Sequence, residues 1–226
     1  TLGILAIYRL GSFVVIPGVD PSQLQALQDS TADGLMGLLN MFTGGAFANA
    51  SIFALGIMPY ISASIVIQLL GMAVPYFQKL QKEGESGRRK INNITRWLTI
   101  LITGAQAPGY IATQITSIPG AVPDAGMLWW STTILLLITG TMFVMWLGEK
   151  ITDRGIGNGI SLIIMIGIIA GLPQSLGQEF VSALGSVGGG LVIFFVEMLV
   201  LLFVILVTIL LVQGTRRIPV QYAKRV

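Results

Sequence analysis

The chain has 226 residues, of which 54% are hydrophobic and only 10% charged, with 28 glycines and a net charge of +3. It contains neither cysteine nor histidine, which excludes thiol chemistry, disulfides, the commonest metal ligands and a Ser-His-Asp relay. Such a composition belongs to polytopic membrane proteins, and there the placement of the few charges says more than their sum.

Thr1 to Ile16 is apolar except for Arg9 and is ended by Pro17-Gly18. It is short for a span, which needs about 20 residues. It also lacks the basic n-region and small-residue cleavage site of a signal peptide. The chain opens inside this apolar run and stops in a basic segment, and so reads as part of a longer protein. Val19 to Asp33 is polar, with Asp20, Asp29 and Asp33 and no basic residue.

From Gly34 to Gln78 no side chain is charged. That run is too long for one span and too short for two. Gly34 to Phe42 reads as a short apolar helix, ended by a break at Gly44-Gly45. Irregular backbone at membrane depth survives only where protein or a water-filled cavity surrounds it. The expectation is a re-entrant half-helix over about 34–49, hinged at Gly44-Gly45 and lodged in a protein-lined cavity. A true span from about Ser51 to Val74 follows.

Lys79 to Lys90 is a strongly basic run and reads as a solvated loop. Trp97 to about Ile115 is a third span, interrupted by Gly104 and Pro108-Gly109. Met127 to Leu147 is a fourth, with Trp129 and Trp130 at one end and Trp146 at the other, an aromatic belt. After the charged turn Glu149 to Arg154, the run Gly155-Ile156-Gly157-Asn158-Gly159 resembles a phosphate loop only superficially. Phosphate loops follow a strand in an α/β unit, and here the flanks are spans. It reads as a tight turn with Asn158 capping the next helix. The fifth segment runs from Ile160 to Leu172 and is stopped by Pro173, and a polar, Gly-rich connection from Gln174 to Gly190 follows. The sixth span is Leu191 to Val212, after which come Arg216, Arg217, Lys224 and Arg225.

With the Lys79–Lys90 loop placed inside, every Lys and Arg except Arg9 falls in a cytoplasmic loop or at its edge. The opposite loops hold Asp20, Asp29, Asp33, Asp124 and Glu179 and no basic residue. This is the positive-inside pattern. It predicts an all-α polytopic protein of six transmembrane helices, with both visible ends cytoplasmic.

Ser62, Ser64, Thr132, Thr133, Thr139 and Thr141 lie within spans and read as helix-packing groups, because nothing pairs them with a base. Arg9 and Glu197 are the two ionisable residues inside spans, and both read as structural. Ile57 and Ile61 share a helix face, and Ile160 and Ile164 repeat the spacing. In aliphatic spans that spacing is commonplace. The first pair stands out because it directly follows the re-entrant segment, and a ring of such side chains would exclude ions by dewetting.

Four stretches carry a resemblance to a known family. The first is Asn40-Met41-Phe42-Thr43-Gly44-Gly45 with Ala50-Ser51-Ile52-Phe53-Ala54-Leu55-Gly56-Ile57-Met58-Pro59-Tyr60-Ile61-Ser62-Ala63-Ser64, and the second is Lys82-Glu83-Gly84-Glu85-Ser86-Gly87-Arg88-Arg89-Lys90. The third runs from Gly140 to Glu149 and on from Arg154 through Ser161, and the fourth from Gln213 to Arg225. They resemble the SecY family, the channel subunits of the bacterial Sec protein translocase.

The resemblance implies ten spans in two inverted halves. Residues 1–189 would be the first five-span half with its plug, and 190–226 the sixth span and the start of the next cytoplasmic loop. The plug would include Leu35, Met36, Leu38, Leu39, Asn40, Met41, Phe42, Thr43, Gly44 and Gly45. Four of six pore-ring positions would fall on Ile57, Ile61, Ile160 and Ile164, and Ser62, Ser64 and Gln68 would mark a lateral gate. Arg88, Arg89, Arg216, Arg217, Lys224 and Arg225 would meet cytoplasmic partners.

The implied function is a passive, gated conduit for unfolded polypeptide across, and sideways into, the bacterial plasma membrane. It implies no catalysis, no cofactor and no nucleic-acid specificity. The implied partners are SecE and SecG in the membrane, the SecA ATPase or a translating ribosome, and the translocating chain with its signal sequence. A secondary transporter is the rival class, since it also uses broken helices. That reading expects several ionisable groups near the midplane.

Overall fold

The computed structural model describes residues 1–20, 34–122, 126–185 and 189–214. Every regular element among them is helical: α1 Leu2–Gly11, α2 Gly34–Phe42, α3 Met58–Ala73, α4 Pro75–Lys82, α5 Glu85–Tyr110, α6 Met127–Arg154, α7 Gly159–Gly185 and α8 Gly190–Gln213. A π-helical turn, Ile111–Ile115, prolongs α5. Three helices, α6, α7 and α8, are long and apolar enough to cross a membrane, and the bent pair α3–α4 makes up to four. The chain divides into two compact units, Thr1–Leu172 and Pro173–Val226.

The centre of the first unit is not a helix. Residues 43–57 form a succession of turns, mostly buried, and supply side chains to both apolar cores. One core gathers Phe47, Ala50, Ala54 and Leu55 with Ile16 from the segment after α1, Tyr110 and Ile111 from α5 and its extension, and Leu137 from α6. The other gathers Ala46, Phe53 and Ile57 with Leu5 and Tyr8 of α1, Val144 and Leu147 of α6, and Ile163 of α7.

Several expected boundaries move. The second span was expected from about Ser51, but its helix starts only at Met58, with Pro59 in its first turn, where a missing N–H costs nothing. Ser51 instead makes an isolated antiparallel bridge with Val15. At 16 residues α3 is about 24 Å long, short of the roughly 30 Å hydrocarbon core, and α4 follows it at a bend of 100°.

The Lys79–Lys90 run is not a loop either. It is the end of α4 and the start of α5, broken only around Gly84, which has φ +70°. Lys79 and Lys82 lie in the last turn of α4 and Glu85 in the first turn of α5, each where the helix dipole favours its charge. Arg89 pairs with Glu85 at 2.7 Å, one turn away. Polarity marked this run as solvated, which it is, but charged residues with good helix propensity need not form a loop.

Pro108 was expected to interrupt its span and Pro173 to end one, and neither ends its helix. Pro108 lies inside α5, and the chain re-forms its ladder as a π turn three residues on, with Thr116 N donating to Ile111 O at 2.9 Å. Pro173 likewise lies inside α7, so the supposed polar connection from Gln174 is helical as far as Gly185. With no water competing for the backbone, a helix tolerates a proline that would break it in solution. Asn158 does cap α7, its Oδ1 accepting from Ile160 N and Ser161 N at 3.1 and 3.3 Å.

Membrane-segment hydroxyls turn out to bond within their own helix. Thr132 Oγ1 donates to Leu128 O at 2.9 Å, and Thr139 Oγ1 to Leu135 O at 2.7 Å. Thr133 Oγ1 is buried with no partner among the described residues. The close packing comes instead from glycine. A Cβ on Gly140 of α6 would overlap the Ile52 carbonyl oxygen, so the absent side chain is what admits the irregular backbone against that helix.

Gly140→Ala is therefore expected to destabilise the protein by about 1–3 kcal/mol through overpacking. Gly104→Ala, whose Cβ would meet only Ile138 Cδ1 at 3.7 Å, is expected to be neutral or slightly stabilising. Thermal unfolding of the two purified variants in detergent checks the pair.

Candidate functional site

The segment expected to be re-entrant begins with α2, a nine-residue apolar helix without a charge. It leads into Gly44 and Gly45, whose φ of +64° and +89° reverse the chain where a side chain would be strained. The sequence placed the hinge there, and the backbone bends there. A Cβ on Gly44 would also stand 2.8 Å from Gly167 Cα of α7, so the hinge lies hard against that helix.

Irregular backbone in an apolar setting must find its own hydrogen-bond partners. Part of this comes from within: Gly45 N donates to Asn40 O at 2.9 Å, Ala48 N to Asn40 Oδ1 at 3.0 Å, and Ser51 N to Ala46 O at 3.1 Å. Part comes from the segment after α1, where Ile16 N donates to Ala50 O at 2.9 Å and Ile52 N to Val14 O at 3.0 Å. The rest comes from three long side chains of neighbouring helices. Tyr8 Oη donates to Thr43 O at 3.2 Å, the Arg9 guanidinium to Gly44 O, and Tyr110 Oη to Phe47 O at 2.8 Å. Tyr110 also sets its ring edge-on to Phe47, with centroids 4.9 Å apart.

Behind α2 lies a cavity of about 250 Å³. Met36, Leu39 and Thr43 of the re-entrant segment close one side, Met58 and Ser62 of α3 another, and Gln106 and Tyr110 of α5 a third. Its lining is apolar with a few polar groups. Leu38, Met41 and Phe42 point away from the core and are exposed, Asn40 is half-buried, and Leu35 lies on the first turn of α2.

The four isoleucines singled out in the sequence come together in one apolar cluster. Ile57 is buried, 4% exposed, at the junction where the turns become α3, and Ile61, Ile160 and Ile164 pack half-buried around the same group. The three polar residues of the expected gate do not form one patch. Ser62 faces the cavity, whereas Ser64 and Gln68 share another face of α3, with Gln68 Nε2 donating to Ser64 Oγ at 3.4 Å. Positions 62 and 64 are about 200° apart around a helix, which is why they separate.

Arg88 and Arg89 are exposed on the first turns of α5. Arg216, Arg217, Lys224 and Arg225 lie outside the described residues, as do Asp29, Asp33 and Asp124. Glu197 is exposed on α8, a helix with no buried residue. Sequence reasoning missed Tyr8 and Tyr110 because an aromatic in a span normally signals packing. The available signal was a hydroxyl on the face that also carries Ser12 in α1 and Thr103 in α5.

A family model described as SecY matches residues 51–226. Curated proteins named "Protein translocase subunit SecY" are similar over almost the whole chain. That of Escherichia coli (strain K12) is 48% identical over 230 residues, covering 99% of this chain and 51% of the relative. That of Buchnera aphidicola subsp. Acyrthosiphon kondoi is 47% identical over 99% of this chain and 63% of the relative. That of Streptomyces scabiei is 45% identical over the full chain and 53% of the relative. The chain thus spans about half the length of most of the curated relatives it matches.

Tyr110→Phe removes one hydroxyl and leaves the Phe47 carbonyl buried without its donor. The expected cost is about 1–3 kcal/mol, the usual range for an orphaned buried acceptor. Thermal unfolding gives the size of the loss, and faster amide hydrogen exchange confined to 45–54 gives its place.

Proposed function

From the membership of this chain in the SecY family, we propose that it forms the first half of a protein-conducting channel, with six spans and α2 as a re-entrant plug. It is a translocase component and not a catalyst, so its work is to open, hold and close. The observation that carries the reading is the seat of α2. A short apolar helix hangs from a two-glycine break, and the turns after that break lead to Ile57 and to the helix that bears Ile61.

In the resting state the plug fills the outer side of the pore, and Ile57, Ile61, Ile160 and Ile164 supply part of an apolar constriction. Aliphatic side chains suit both tasks. They dewet a narrow gap and so bar ions, and they contact a passing polypeptide without side-chain hydrogen bonds that would hold it. Ile57 is buried with Phe53 and Val144 in the shut arrangement, and opening would bring it to the pore surface. No ion pair has to be broken to swing α2; what holds the segment are hydrogen bonds to its carbonyls.

The same reading assigns the lateral gate to α3, with Ser64 and Gln68 on the gate face and Ser62 turned towards the plug. An apolar segment of a client would leave through this gate because lipid removes its surface from water, worth about 25 cal/mol per Å². Arg88 and Arg89 face the cytoplasm and, with the basic tail from Arg216, would meet a driving ATPase such as SecA or a translating ribosome. SecE and SecG are the implied membrane partners, and the bacterial plasma membrane is the setting.

Deleting Met36–Ala48 from the complete channel is expected to raise resting ion conductance and relax signal-sequence selectivity, and unchanged conductance in planar bilayers sinks the plug assignment. Cysteines at Ile57 and Ile61 are expected to crosslink to an arrested translocating chain, and labelling no stronger than at exposed Val66 counts against the ring.

A further inference from the structure

Arg9 is a cation in an otherwise apolar ten-residue helix. Placing it there is costly in a membrane setting, so the protein must gain something in return. It lies in the last turn of α1, where the helix dipole favours a positive charge. Its guanidinium carbon stands 5.3 Å from the Phe13 ring centroid. Among the described residues no carboxylate lies within ion-pair distance of it. Its hydrogen-bond partner is the carbonyl of Gly44, the first hinge glycine, and it is half-buried there rather than extended to the surface.

The residue before it does the same thing one step earlier. Tyr8, 1% exposed, donates to the carbonyl of Thr43 at 3.2 Å. Adjacent residues of α1 therefore hold adjacent carbonyls of the segment from which α2 hangs. A swing of α2 has to change φ and ψ at Gly44 and Gly45, and that change rotates these two carbonyls. Both α1 bonds are present in the seated arrangement, and a swing that turned the carbonyls away would break them. A Cβ on Gly44 would stand 2.8 Å from Gly167 Cα and 2.9 Å from Arg9 Nη1, so Gly44 has no room for a side chain of its own and the hold comes from across the interface.

We propose that Tyr8 and Arg9 form a two-point latch on the hinge, positioning residues whose hydrogen bonds to Thr43 O and Gly44 O set the population of the seated plug. This rests on the reading of α2 as a plug and adds the device that keeps it seated. A hydrogen bond to a charged donor is about twice as strong as a neutral one, so Arg9 is the dominant point and Tyr8 the weaker. A ligand-free two-state element shifts by the difference in bonding between its states, and the latch bonds contribute to one state only.

The test uses the complete channel in planar bilayers, with the Met36–Ala48 deletion as reference. Arg9→Met keeps a long apolar stem without a donor and is expected to raise resting conductance by about tenfold and to pass clients with defective signal sequences. Tyr8→Phe removes a single hydroxyl and is expected to raise conductance about two- to fivefold. Arg9→Lys keeps a charge and donors and is expected to return conductance to within about twofold of the parent. Thermal unfolding of each variant is measured alongside. A lower melting temperature with parental conductance in Arg9→Met and Tyr8→Phe makes both residues mere packing and overturns the latch. If Arg9→Met fails to assemble, Tyr8→Phe decides alone, and parental conductance there overturns it. If the deletion conducts while both point variants stay shut, the latch is wrong and the plug reading stands. If the deletion itself stays shut, the plug reading fails and the latch with it.

Discussion

An irregular backbone inside an apolar protein has to satisfy its own polar groups, and residues 43–57 are where this chain meets that demand. In water the N–H and C=O groups of such a segment would be solvated without cost. In hydrocarbon each orphan costs several kcal/mol. Internal turns and the neighbouring 14–16 segment supply part of the bonding, and Tyr8, Arg9 and Tyr110 supply carbonyl partners from outside. Both apolar cores contain side chains from this segment. The surrounding helices are therefore best understood as its casing.

The casing explains where large and small residues go. Gly140 and Gly167 are helical glycines without conformational need for the role; a Cβ on Gly140 would overlap the Ile52 carbonyl, and one on Gly167 would press tightly on Gly44 and the Phe42 carbonyl at 3.3 Å. Around them stand the large rings of Tyr8, Phe53 and Tyr110, and the two tyrosines bring hydroxyls to carbonyls. Tyr8 and Phe53 stack at 6.1 Å, and Phe53 continues the stack to Phe143 at 5.9 Å. A seat built this way is tight towards the core, whereas α2 presents Leu38, Met41 and Phe42 away from it.

Much of this was legible along the chain, and particular residues show why. The charge-free run from Gly34 to Gln78 had a length that fits neither one span nor two, and the structure divides it into a short helix, a run of turns and a second helix. Gly44-Gly45 marked its hinge because two glycines after an apolar helix are a local signal. Asn158 was readable as a cap for the same reason. Pro108-Gly109 was read as an interruption of its span, and a π turn follows it; Pro173 and the Lys79–Lys90 run were misread by rules of the aqueous phase. Proline stops a helix, and charge marks a loop, where water competes for the backbone. Inside a helical membrane protein a π turn absorbs the first, and helix propensity with favourable end charges overrides the second.

The sequence by itself determined the membrane class, the helical content, the glycine break after α2 and the family, since composition, period and motif are properties of neighbouring residues. Which residues hold the hinge was decided by the tertiary structure alone. Tyr8 and Arg9 lie 35 positions from the carbonyls they bind, and Tyr110 lies 63 from its own. The division of Ser62 from Ser64 and Gln68, and the gathering of Ile57 and Ile61 with Ile160 and Ile164, were settled at the same level. A hydrogen bond depends on atoms within about 3 Å, and separation along the chain carries no information about that distance until the helices have packed.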